Sequence, residues 1–221
     1  MTLRMKTLLT ISAALAGLIA ILFIVSQGII SHQITEAEEE GIRQDVTRVT
    51  GVLSSFLDGM VATNSDWSSW DDTYQFIEDK DQAYITANIN SNTFNTLDLN
   101  LMVFVHESGE IVESRAFDLE NEIEVPLPED LLQHLNSDSP LVHHPSPGST
   151  VKGILLLHQG PMLVVSRPIL DSMGEGPVRG SFIIGRQLDE NVLLQIETIT
   201  RSGLEISRLD STGMPADFID A

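Results

Sequence analysis

Residues 151–187, VKGILLLHQGPMLVVSRPILDSMGEGPVRGSFIIGRQ, hold three apolar runs of strand length separated by turn-forming residues. Strands are predicted at 151–158, 162–170 and 178–187. Gln159-Gly160-Pro161 makes a tight connection between the first two, and 171–177, with two glycines, joins the next pair. Working outward, 99–105 and 110–117 predict a hairpin turning at Ser108-Gly109. Pro128-Glu129-Asp130 opens a short helix to Leu135, proline being acceptable in a first turn. The stretch 136–148 is rich in Ser, Pro and His and reads as a solvated loop. Asp189 caps a helix to about Thr200, and Gly203 lets the chain turn into a last strand at 204–209. Hairpin-linked strands beside helices mean an α+β fold with a mostly antiparallel sheet.

The N-terminal half is helical in texture. Residues 8–30 are apolar or small, interrupted only by Thr10, Ser12, Ser26 and Gln27. A helix of that length rises about 35 Å, enough to cross a hydrocarbon core of about 30 Å with tilt. A transmembrane helix is therefore expected at 8–30, after a cytoplasmic stretch 1–7. A cleaved signal peptide is the competing reading, but its small-residue site, Ala14-Leu15-Ala16, would lie inside the membrane. Arg4 and Lys6 on one side, with no basic residue until Arg43 on the other, place the N-terminus in the cytoplasm and the remainder outside. Ile42, Val46, Val49, Leu53, Phe56 and Met60 then recur at spacings of four and three, and Trp67 continues the stripe. A long membrane-proximal helix over 31–66 follows. Its stripe packs on a sheet, pairs with a second copy through 42–60, or does each along a different stretch.

Composition excludes several function classes. All 32 acidic residues lie beyond residue 30, and only Arg4 and Lys6 of the 12 basic ones precede it. So acidic a domain repels phosphate backbones, so no nucleic acid partner is expected. The absence of cysteine removes thiolate chemistry, disulfides and cysteine metal sites together. His143-His144 lack metal-ligand spacing. Gly174-Glu175-Gly176-Pro177-Val178-Arg179-Gly180 resembles a phosphate loop only superficially: its third glycine is one residue late, Pro177 has no N–H and no lysine follows. No catalytic residue, metal or cofactor is nominated, and the chain is expected not to be an enzyme.

Both tryptophans and one of the two tyrosines fall in Asp66-Trp67-Ser68-Ser69-Trp70-Asp71-Asp72-Thr73-Tyr74-Gln75-Phe76. On one helix, Trp67, Trp70, Asp71 and Tyr74 stand at i, i+3, i+4 and i+7 and share a face. Two readings follow. In one, Trp67, Trp70 and Tyr74 offer ring faces while Asp71 or Asp72 receives an amine or hydroxyl of a small ligand. In the other, the rings pin helix to sheet while a carboxylate caps neighbouring backbone.

The same segment resembles the signature of the CHASE sensory domains, fourth type. The similarity continues through Tyr84-Ile85, Asn88, Leu97, Leu99-Asn100-Leu101, Val103-Phe104-Val105 and Gly109-Glu110-Ile111-Val112. It ends in Gly180 to Gly185-Arg186 and Leu188-Asp189, and covers roughly residues 35–210. The resemblance implies an extracytoplasmic sensor with a PAS-like, Cache-like antiparallel sheet behind a long N-terminal helix. Such domains are normally flanked by two membrane helices and coupled to histidine kinases, diguanylate cyclases or chemoreceptors. After Leu209 this chain departs from that pattern, where more sensor sequence and a second span would be expected. Its body is placed at 67–210 and its tail at 211–221. The expectation is a membrane-anchored periplasmic or extracellular sensor that binds a small ligand and belongs to, or partners, a signalling receptor. The alternative is a truncated sensor-like domain that scavenges a ligand or serves a structural role without signalling.

Overall fold

The computed structural model describes residues 3–136, 138–201 and 203. The strand expected at 204–209 and the tail 211–221 lie outside the described residues. Residues 1–50 and 51–221 form separate units. Helix α1 runs from Leu3 to Ser68, joining in one element the stretches expected as membrane span and long helix. Among the described residues no helix is long and apolar enough to cross a membrane. The expected span 8–30 draws partly on Leu8, Leu9, Ile24 and residues 27–30, whose side chains are outside that set.

Three short helices follow: α2 (Asp71–Asp79), α3 (Gln82–Asn88) and α4 (Ser91–Leu97). Asp81 caps α3 by accepting from Ala83 N, and Asn90 caps α4 by accepting from Thr93 N. The sequence reading omits α4, although Asn90 marks its start and Asp98, left-handed at φ 53°, its end.

Six strands, β1 (Leu101–His106), β2 (Ile111–Asp118), β3 (Ile123–Val125), β4 (Val151–Leu157), β5 (Gly160–Ile169) and β6 (Gly180–Gln187), make one sheet. Its order is β3-β2-β1-β6-β5-β4 and every pairing is antiparallel. The short edge strand β3 is absent from the sequence reading, because three residues carry too little alternation to register. Glu129–His134 is a 3₁₀ turn, and α5 (Glu190–Thr200) starts at Asp189, whose carboxylate accepts from Val192 N.

The central strands are buried on both faces. Phe104 and Phe182 stack at 4.5 Å on the face carrying α1 and α2. Leu101, Val103, Val105, Val164 and Ile183 belong to the opposite face, where Leu131, Leu135, Leu141 and Val142 cover them. This cover corrects the expectation of a solvated loop at 136–148. Ser166 Oγ donates to Leu141 O and Ser181 Oγ to Val142 O, both at 2.6 Å, so two buried strand serines fasten the loop.

Candidate functional site

The tryptophan segment is not one helix face. Trp70 adopts an extended conformation (φ −114°, ψ 130°), which ends α1 at Ser68 and makes Trp70 the N-cap of α2. The carbonyl of Ser68 at the α1 terminus accepts from Leu170 N at 2.8 Å, tying the break to the end of β5. The spacing i, i+3, i+4, i+7 is thus real in sequence but divided between two helices. What the break produces instead is a closed circuit of rings. Trp67 meets Trp70 edge-on (6.3 Å), Trp70 meets Tyr84 (6.0 Å) and Tyr84 stacks on Phe76 (4.3 Å). Phe76 then meets Phe104 edge-on (5.4 Å), and Phe182, stacked on Phe104, returns to Trp67 (5.9 Å). Such pairs each add roughly 0.5–1.5 kcal/mol beyond their buried area.

Asp71 and Tyr74 of the segment face protein partners. Asp71 accepts from Ser172 N (2.8 Å), while Asp71 N donates to Ser172 Oγ (3.2 Å). The backbone and then the hydroxyl of Ser172 hold the Asp71 carboxyl below its usual range. Tyr74 donates to Pro177 O at 3.2 Å, and the Arg179 guanidinium lies 3.7 Å over its ring. Asp71 and Tyr74 together clamp the 171–178 connection. Asp72 points elsewhere, lining a shallow groove of about 280 Å³ with Gln75, Asp79 and Tyr84. The Tyr84 hydroxyl, 2.6 Å from Thr73 Oγ1, is pushed up to about 12 by burial. The five candidate residues therefore divide: four stand at the ring circuit and clamp, and Asp72 at the groove.

A cleft of about 460 Å³ lies on the other face of the sheet, where β1 begins and β2, β3 and β6 end. Leu101, Ala116, Val125 and Met162 make its floor, and Asp118, Glu120, Gln159, Gln187 and Asp189 stand at its sides. Asn100 fixes this end. Its Nδ2 donates to Phe117 O (3.0 Å), and its Oδ1 accepts from Arg186 Nη1 (2.9 Å) and Gln187 N (2.8 Å). Arg186, only 6% exposed, also reaches Asp189 Oδ2 at 2.8 Å, and its Nε faces Asp98 Oδ2 at 3.2 Å without hydrogen-bond alignment. Asn100 lies 86 residues from Arg186 in sequence, yet with Asp189, three residues further on, the two form one polar network beside the cleft. The floor needs Gly185, since a Cβ there would stand 2.7 Å from Met162 Sδ and 3.0 Å from Leu101 Cβ.

His144 is a second departure from the sequence reading. It is buried, with Nδ1 2.8 Å from Ser149 Oγ and Nε2 3.0 Å from Ser166 Oγ. Because the Ser166 hydroxyl proton is given to Leu141 O, Nε2 must carry the imidazole hydrogen and Nδ1 must accept from Ser149. Desolvation, then Arg167 and His143, lowers its pKa to about 4. Its neighbour His143 is exposed; a pair adjacent in sequence points two ways, and nothing in composition says which is inside. Among the described residues no group of His, Asp and Glu is arranged to hold a metal ion.

Comparison with known proteins places this geometry. Residues 52–207 match the CHASE4 domain. The methanogenesis regulatory histidine kinase FilI of Methanothrix harundinacea (strain 6Ac) is 36% identical over 193 residues, which are 86% of this chain and 21% of FilI. The chain thus spans about a fifth of the length of that curated relative. Among solved structures, the domain of a sensory box/GGDEF family protein from Vibrio parahaemolyticus aligns with a TM-score of 0.52 at 14% identity, covering 72% of this chain and 63% of that one. That likeness is one of fold. The E. coli DcuS sensor domain aligns with a TM-score of 0.42 at 17% identity, covering 67% of this chain and 97% of that one.

Proposed function

We propose that this chain, which belongs to the CHASE4 domain family, is the ligand-reading part of a membrane-bound signalling receptor of the histidine kinase or diguanylate cyclase type. In this reading residues 8–30 anchor it in the inner membrane with the N-terminus in the cytoplasm, and the sheet domain stands in the periplasm or outside the cell. The exposed side chains of Ile11, Leu15, Leu18, Ile19, Leu22 and Phe23 along α1 support the anchor. The observation that carries the ligand-reading role is the cleft of about 460 Å³, apolar in its floor and polar at its sides, as small-molecule sites are. The module binds and does not catalyse. Trp67, Trp70, Asp71 and Tyr74 are assigned to transmission, because Trp67 at the end of α1 packs on Phe182 of β6 and Asp71 and Tyr74 hold α2 to the connection between β5 and β6, while the ligand contacts fall at the cleft. Occupancy then shifts α1 relative to the sheet, and the displacement travels along the helix.

A thermal-shift screen of the full chain against small metabolites tests the site. A hit should lose its stabilising effect in Ala116→Leu, which fills the cleft floor, and keep it in Tyr74→Phe. A hit indifferent to Ala116→Leu and abolished by Asp72→Ala would move the site to the α2–α3 groove. The non-signalling alternative has its own discriminator. Grafted in place of the matching segment of a histidine kinase, the chain should make autophosphorylation respond to the hit; binding without any response favours a scavenger.

A further inference from the structure

We propose that the cleft selects compact organic cations, an ammonium or guanidinium on a small apolar body, and excludes carboxylates and phosphates. The inference rests on the cleft being the ligand site. Its floor, Leu101, Ala116, Val125 and Met162, offers an apolar body a surface and no hydrogen-bonding side chain. Around that floor stand Asp118 and Glu120 from the β2–β3 connection and Asp189 from the start of α5, with the neutral Gln159 and Gln187. Among the described residues no Lys, Arg or His lines the cleft. The guanidinium of Arg186 lies nearby, but Asp189 and Asp98 both face it, two carboxylates against one cation. The remaining charge at the mouth is that of Asp118 and Glu120.

Two features that could reverse this polarity are already answered. Asp118 stays ionised, because Glu120 N, Asn121 N and Asn121 Nδ2 all donate to its oxygens. The positive end of α5 is capped by Asp189 Oδ1 and followed by Glu190, so it offers an anion little. A carboxylate entering the cleft would meet like charges and find no cationic partner. An ammonium would meet carboxylates at the rim, where they need not be stripped of all their water, and would bury only its apolar part.

Three probes of one shape separate charge from fit: choline, its neutral isostere 3,3-dimethylbutan-1-ol and the anion 3,3-dimethylbutanoate. They are titrated by calorimetry and thermal shift into the full chain in zwitterionic nanodiscs, with empty nanodiscs as blank. Choline should bind at least about tenfold more tightly than the alcohol, and the anion should give no shift. Glu120→Gln combined with Asp118→Asn should remove the preference for choline while leaving the alcohol unchanged. The proposal falls if the anion binds as well as choline, if the double variant keeps the preference, or if none of the three binds up to about 10 mM. Ala116→Leu separates the two levels of the argument. Probes that bind without charge preference and are lost in Ala116→Leu overturn the cation rule but keep the cleft, whereas choline binding equally to both proteins overturns the cleft as well.

Discussion

His144 and Asn64 show how single buried polar side chains set the behaviour of the domain. His144 is neutral in the folded protein and has a pKa of about 4, against 6.5 for the free side chain. The unfolded chain therefore binds the proton more readily than the folded one between those values, so folding stability rises with pH across that window. Its contribution is complete above about pH 6.5 and is lost as pH falls toward 4. The loss is on the order of 2 kcal/mol, discounted for residual solvent screening. His144→Leu should flatten the stability slope between about pH 4.5 and 6.5 in urea titrations; a slope equal to that of the parent protein would show that other groups carry it. Asn64, fully buried on α1, makes a different kind of contact. Its amide donates to Val165 O (3.2 Å) and Phe182 O (2.9 Å), bridging two neighbouring strands, while Oδ1 has no hydrogen-bond partner. Asn64→Ala removes both donors and should cost about 2 kcal/mol. Asn64→Asp should cost more, since it turns a carboxylate toward two carbonyls; an Asp variant as stable as the parent would contradict the bridge.

At the scale of elements, the sheet is held by contacts that tolerate little. A Cβ on Gly180 would collide with the backbone carbonyl of Val105 across the β1–β6 pairing and sit 3.0 Å from His106 Cα. Gly180→Ala should therefore destabilise the domain by about 3 kcal/mol, read as a lowered urea midpoint. The clamp between α2 and the 171–178 connection is softer. Asp71→Ala should speed hydrogen exchange at the Ser172 amide, while leaving the amides of β1 protected. Sequence legibility follows the same division. The long strands β1, β2, β5 and β6 were readable because apolar runs bounded by Gly, Pro and Asp report them directly, and Asp189 announced its helix as a cap. The break at Trp70 was not readable, because the ring spacing satisfies one helix as well as two, and only the bond from Leu170 N to Ser68 O decides between them. The cleft was hidden for a related reason. Asn100, Arg186 and Asp189 lay inside the family resemblance, but their convergence depends on β1 pairing with β6, a contact between strands more than seventy residues apart in the chain.

For the whole molecule, the apolar stripe on α1 divides its work along its length. Ile42 and Val46 are 64% and 56% exposed, Val49, Leu53 and Phe56 are half-buried, and Met60 is 8% exposed. The later residues are thus used up within the sheet domain, and the earlier ones have heptad spacing with apolar surface left over. A second copy of the same helix is the partner we propose for them, since a heptad stripe is complementary to itself and the chain around it is too acidic to favour an anionic one. This proposal fixes where disulfide trapping should succeed. The natural chain has no cysteine, so single substitutions report without background. Ile42→Cys and Val46→Cys should each give an intersubunit disulfide under mild oxidation of the full chain in membranes, and Met60→Cys should not. Equal trapping at Met60 would mean that the domain opens its own core to the partner. Failure at both Ile42 and Val46 would remove the second copy, and with it the surface against which a ligand-driven shift of α1 could be read.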